Sequence, residues 1–173
     1  MIRSVIITAP GFQDEEVIYS YYRLKEAGYS VDVATKDGTD VLGKYGVPAR
    51  ATMKTSDLAV DKFDLVILPG GFEAPDRVRL LPEVLNFIRE MDAQKKLIAA
   101  ICHGAWIMIS AGITKGRKIT AYWSIEADVR NSGADYQHKV PVVVDGNIIT
   151  SPHYNNNGDF MKAVIDYMNS RKH

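Results

Sequence analysis

The 173-residue chain is 46% hydrophobic and 24% charged, a balance suited to a globular fold with one sizeable core and foreign to a disordered chain. Its 21 Lys and Arg are matched by 21 Asp and Glu, so no net field draws it to nucleic acid or to an anionic membrane. No apolar run approaches the about 20 residues of a membrane span, and a lone cysteine cannot form an internal disulfide; a soluble, cytoplasmic, single-domain protein over residues 1–173 is expected.

Residues 2–9, IRSVIITA, are apolar and β-branched and end at Pro-Gly, as a buried strand does. QDEEVIYSYYRLKEAG follows as a helix with Val17, Ile18, Tyr21 and Leu24 on one face, acids in its first turn and Gly28 at its end. YSVDVAT reads as a second strand. Residues 38–60 are mixed, with VLGKYGVPA suggesting a short hairpin. DLVILPGG is a third buried strand closed by a tight turn, and Pro82 opens a helix that buries Val84, Phe87, Ile88 and Met91. KLIAAI is a fourth strand, leading directly into the helical pattern HGAWIMISAG. KIT suits a short strand and SIEADVRNSG another helix. VPVVVDGNIIT is a hairpin turning at Asp145-Gly146, and a last helix from about Asp159 buries Phe160, Ala163, Val164, Tyr167 and Met168.

Strands alternating with amphipathic helices imply an α/β fold, a mostly parallel sheet with helices on both faces. Function in such sheets sits at the carboxyl ends of the strands. That rule selects the loop from Pro10 to Glu16, the PGG turn with Gly70 and Gly71, Cys102-His103, and the stretch around His153.

Cys102 follows a buried strand and begins a helix, where backbone amides can stabilise a thiolate, so its pKa is expected below the ~8.5 of free cysteine. Gly104 permits a sharp strand-to-helix turn of the nucleophile-elbow kind. A small residue that only packs in the core is the competing reading, because free cysteine is among the most buried residue types. If the third strand lies beside the fourth, the amides of Gly71 and His103 are candidate oxyanion donors. His103 and Cys102 diverge on a regular helix, so their meeting requires a strained turn. His153 is a second candidate base, His138 is expected to face solvent, and His173 is terminal. No Cys, His and acid cluster at ligand spacing occurs, so no metal is expected.

AAICHGAWIMISAGITKGRKITAYWSIEADVRNSGADY, with GFQDEEVIYSYYRLKEAGYSVDVAT and DLVILPGGFEAPDRVR, resembles the PfpI (intracellular protease) branch of the ThiJ/PfpI superfamily. The resemblance runs from the first strand to the last helix. It implies a flavodoxin-like fold related to class I glutamine amidotransferases, with no cofactor. It places the elbow cysteine on Cys102 and the following histidine on His103. The acid that hydrogen-bonds the thiolate while protonated falls on Glu16, and a tyrosine near the cysteine on Tyr122. The acid that reaches the histidine of a neighbouring subunit falls on Asp76, which implies a homo-oligomer, a dimer or a hexamer. The resemblance further implies a cysteine-dependent hydrolase of small carbonyl adducts (a deglycase or glyoxalase-like enzyme) or of peptides. The alternative is a non-enzymatic stress protein, a redox sensor or holdase chaperone, using the same thiol. The chain departs from the family pattern at Gln13, Ser20 and Ala105, and in the loop SPHYNNNGDF.

Overall fold

The computed structural model describes residues 1–171; His173 lies outside the described residues. In chain order the elements are β1 (Arg3–Ile7), α1 (Asp14–Glu26), β2 (Ser30–Thr35), β3 (Val41–Leu42), β4 (Pro48–Ala49), β5 (Met53–Lys54), β6 (Leu65–Leu68), α2 (Glu73–Val78), α3 (Pro82–Ala93), β7 (Leu97–Ile101), α4 (Ala105–Ala111), β8 (Lys118–Ile119), α5 (Glu126–Asn131), β9 (Asp135–Tyr136), β10 (Val143–Asp145), β11 (Ile148–Ser151) and α6 (Asn157–Ser170). The main sheet runs β10-β11-β7-β6-β1-β2-β5, and every pairing in it is parallel except the β10/β11 hairpin. Its centre, β2-β1-β6-β7-β11, has the flavodoxin-like doubly wound order, whose direction of winding reverses beside β1.

Strand side chains alternate between two packed faces. Val5 and Ile7, Val66 and Leu68, and Ile98 and Ala100 meet α3, α4 and Val129 of α5 on one side. Ile6, Ile67, Ala99 and Ile101 meet Leu24 of α1 and Phe160, Val164 and Met168 of α6 on the other. Burying both faces is why the central strands are continuous apolar runs rather than alternating ones.

Two details differ from the sequence reading. The stretch after the PGG turn, read as a loop, carries the short helix α2, so Asp76 sits on a helix. α6 begins at Asn157 and turns Met161 and Ile165 inward, while Ala163 and Tyr167 are half-buried, because the stripe that meets both α1 and β11 is rotated toward the 161/165 side. KIT supplies β8, the short strand expected there, which pairs with β9 in a separate small sheet.

The β3/β4 hairpin is not a free excursion. Asp14, buried at the start of α1, accepts the amides of Tyr45 and Val47 at 2.9 Å each. The Lys44 amide donates to the Phe12 carbonyl at 2.9 Å. Gly43 allows this approach, since a Cβ there would lie 2.4 Å from Asp14 Oδ2. The hairpin loop is thereby pinned over the carboxyl end of β1.

Candidate active site

β7 ends in extended backbone at Ile101, and Cys102 then takes φ 61°, in the left-handed region. A non-glycine residue there stores on the order of 1–3 kcal/mol. The chain makes one tight turn over Cys102–Gly104 and enters α4. The neighbouring β6 turn presses against this elbow. A Cβ on Gly104 would lie 2.1 Å from the Leu68 carbonyl oxygen, and one on Gly70 would lie 2.7 Å from Cys102 Cβ. Both glycines are required by close approach.

The strained turn brings the adjacent side chains together: Cys102 Sγ lies 3.3 Å from His103 Nδ1. His103 Nε2 lies 3.3 Å from Ser124 Oγ. A thiol that donates to Nδ1 fixes the tautomer, leaving Nε2–H to donate to Ser124. Tyr122 stacks on the imidazole at 5.1 Å, and Trp106 meets it edge-on at 5.0 Å while its indole N–H donates to Asp128 at 2.9 Å.

Glu16 comes from the first turn of α1 and is fully buried. Its Oε2 accepts the Gly70 amide at 2.6 Å, its carboxyl interacts with the Cys102 thiol, and Oε1 makes no hydrogen bond of its own. The Gly70 N–H is thus committed to supporting Glu16 and is not free to donate to an oxyanion. The amides of His103 and Gly71 are the ones that reach the Cys102 side chain. β6 and β7 are adjacent parallel strands, so the turns that carry those two amides are neighbours.

Burial dominates the electrostatics. It raises Glu16 from 4.5 to about 8, against the lowering effects of the Gly70 amide and Cys102, so the carboxyl holds its proton at neutral pH. Burial lowers His103 from 6.5 to about 4, with the Lys44 charge adding to the effect and Asp128 opposing it; the ring is a neutral acceptor. Burial also pushes the Cys102 thiol up, followed by the charge of an ionised Glu16, while the His103 and Gly71 amides pull it down. This corrects the expectation of a lowered thiol, which weighed the turn's amides without the cost of burying the sulfur. While Glu16 keeps its proton its repulsion is absent, so Glu16 and Cys102 titrate as a linked pair.

Cys102 and His103 form the floor of a cavity of about 260 Å³. Gly71, Tyr122 and His153 are in its walls; His153 Nδ1 accepts the Asn155 amide at 3.1 Å and its ring packs 3.9 Å from Tyr154. Gln13, from the Pro10–Glu16 loop, and Tyr154, beside His153, complete the walls with Lys44, Tyr45 and Phe72; these last three and Ser124 were not foreseen. Asp76 is exposed on α2, outside the cavity, and its side chain makes no hydrogen bond or ion pair among the described residues. His138 faces solvent, 3.5 Å from Glu126. Among the described residues no three His, Cys, Asp or Glu side chains converge so as to hold a metal, and no helix is long and apolar enough to cross a membrane. Three wider hollows, about 670 Å³ beside Ile2 and Leu97, about 520 Å³ beside Arg117 and Asn147 and about 1100 Å³ beside Tyr19 and Tyr22, have no cysteine or histidine in their lining.

Residues 3–167 match the model of the DJ-1/PfpI family. The chain belongs to the DJ-1/PfpI family. Within it, the chain is 40% identical over 152 residues to Deglycase PfpI of Pyrococcus furiosus, covering 88% of this chain and 90% of that one. It is 36% identical over 147 residues to the putative cysteine protease YraA of Bacillus subtilis, covering 84% and 86%. A two-domain Anabaena variabilis protein with DJ-1/ThiJ/PfpI-like and ferritin-like domains superposes with a TM-score of 0.94 at 33% identity. That match covers 98% of this chain and 48% of the other, so this chain spans about half of the two-domain protein.

Proposed function

We propose that this DJ-1/PfpI protein is a cysteine-dependent hydrolase that acts on 2-oxoaldehyde-derived adducts of amines, with small peptides as the second substrate class. The observation that carries the reading is the 3.3 Å approach of Cys102 Sγ to a neutral His103 Nδ1 in a closed wall of aromatic side chains. A thiol sensor or holdase needs the sulfur alone; a base held by Ser124, an acid held by Gly70 and two amides at the sulfur are what turnover needs. The deglycase and cysteine-protease names of the relatives agree with this chemistry.

In the reaction His103 Nδ1 takes the thiol proton as Sγ attacks the hemiaminal carbon, and the same proton leaves on the departing amine. The bound hemithioacetal moves a proton from its carbinol carbon to the neighbouring carbonyl carbon through an enediol, becoming a thioester. Water then releases a 2-hydroxycarboxylate and restores the thiol. Amine adduct and water give amine and hydroxy acid, with no external oxidant or reductant. The Gly71 and His103 amides serve the oxyanion of the tetrahedral steps. The protonated Glu16 donates to the sulfur while it is anionic. In the assembled protein Asp76 of a neighbouring copy orients His103, which makes a dimer or hexamer the working form.

The test is release of hydroxy acid and free amine from a methylglyoxal-treated amino acid, alongside peptide cleavage, by the purified protein. Cys102→Ala should abolish both. A wild-type protein that releases neither product, with its thiol still open to alkylation, would overturn the hydrolase reading in favour of a sensor.

A further inference from the structure

The cavity floor is neutral at physiological pH. Burial keeps the proton on Glu16 and off His103, and the raised thiol is uncharged. Against this background one wall residue carries a charge. Lys44 makes no ion pair among the described residues; its Nζ has only Gln13 Oε1 at 3.5 Å and the ring faces of Tyr45 and Phe72 at 5.6 and 5.9 Å. Its charge nevertheless reaches inward, since it is felt by both His103 and Glu16. The loop that bears it is pinned by buried Asp14 through the amides on either side of Gly46. Glu15, which accepts from Gln13 Nε2 at 2.7 Å, sends an opposing charge toward Glu16 and His153 but lines no part of the cavity, so Lys44 is the one charged group in a wall that is otherwise aromatic or neutral.

Resting on the hydrolase reading, we propose that Lys44 is the specificity-determining residue of this site, binding a carboxylate that the substrate carries a few bonds from the carbon attacked by Cys102. The preferred substrates are then adducts on the α-amino group of amino acids with a free carboxylate. Such molecules fit about 260 Å³, whereas adducts on the side chains of folded proteins present no carboxylate at that distance. A solvated surface lysine with no ligand is the competing account. It predicts no discrimination between anionic and neutral reagents at the sulfur.

Cys102 is the protein's one cysteine, so alkylation reads out this site without interference. Iodoacetate and iodoacetamide both form an S–CH2 bond with loss of iodide, and differ in a carboxylate adjacent to the reacting carbon. The ratio of their rates cancels changes in thiol reactivity. At low ionic strength, Lys44→Met should lower the iodoacetate-to-iodoacetamide ratio about fivefold, the scale of one partly exposed ion pair. Lys44→Arg should keep it within about twofold, since the charge is retained. An unchanged ratio in Lys44→Met would overturn the proposal. In the turnover assay, wild type should prefer the adduct of an amino acid over that of its amide, and Lys44→Met should lose the preference through KM. Absence of all turnover would sink the hydrolase reading while the alkylation ratio still decides the role of Lys44.

Discussion

Cys102 Sγ lies 3.3 Å from His103 Nδ1 although the two residues are neighbours in the chain, a contact made by the left-handed backbone at Cys102. The base is therefore built into the nucleophile's own turn, and its readiness depends on staying uncharged. Because burial holds His103 down to about 4, the rate of Cys102 alkylation should show no step near pH 6.5. A step there that vanishes in His103→Ala would show the ring titrating as a solvent-exposed histidine.

Glu16 and Cys102 should reveal their coupling in the same assay. With Glu16 held up to about 8, wild type should lose protons in two linked steps, giving an alkylation profile broader than a single titration. Glu16→Gln keeps a donor and removes the charge, so its profile should narrow to one step at lower pH than the upper wild-type step. Glu16→Ala removes the donor as well and should titrate higher than Glu16→Gln. Identical curves for the three proteins would mean the carboxyl does not touch the sulfur.

Stability should carry the same signature. An acid raised from 4.5 to about 8 stays protonated in the fold after the unfolded chain has ionised. Its contribution is full below 4.5 and falls as pH rises toward about 8, by about 1.4 kcal/mol per pH unit. His103, lowered from 6.5 to about 4, acts oppositely: its contribution is full above 6.5 and falls as pH drops toward 4. From 6.5 to about 7.5, among the described groups with a shift, Glu16 dominates; nearer 8 the raised Cys102 thiol begins to add a loss of the same sign. Urea midpoints should fall over that window in wild type and stay flat in Glu16→Gln.

Gly70 tests the packing of the elbow. An added Cβ would sit 2.7 Å from both Cys102 Cβ and Glu16 Oε2, and 3.0 Å from the His103 nitrogen. Gly70→Ala should cost about 1–3 kcal/mol and slow alkylation of Cys102. Gly158→Ala, where no atom lies within 4 Å, should be neutral or mildly stabilising in helix α6. Equal melting temperatures for the two variants would contradict the close approach.

Asp14 holds the hairpin that bears Lys44 through two charge-assisted hydrogen bonds of 2.9 Å. Asp14→Ala should destabilise the protein by about 2–4 kcal/mol, measured by denaturation, because it leaves the Tyr45 and Val47 amides without their acceptor. It should also raise proteolytic cleavage within residues 43–47.

Asp76 is exposed, and its side chain has no hydrogen-bond or ion-pair partner among the described residues. If a neighbouring copy presents it to His103, Asp76→Ala should lower turnover several-fold while leaving the Cys102 titration unchanged. Light scattering of a fully active monomer at working concentration would end that reading of Asp76.

Much of this architecture is written locally. The apolar runs VIITA, LVIL and LIAAI become β1, β6 and β7 because a strand covered on both faces must be apolar at every position. The order of strands and helices then places Cys102, Gly71 and the start of α1 at one edge, so the location of the site was legible before any contact was known. The proton balance was not. Amides at a turn argue for a lowered thiol, yet how far Glu16 and the sulfur are stripped of water depends on α1 packing against β1, β2 and α6, and Glu16 meets Gly70 from 54 positions away. Lys44 likewise reads as one more surface cation in the hairpin. It becomes a wall of the cavity because Asp14, 31 residues before Tyr45, ties the loop over β1. Periodicity and turn chemistry act over a few residues and set which elements form. Desolvation and the meeting of side chains from distant segments arise when those elements pack, and they decided the charge of the site.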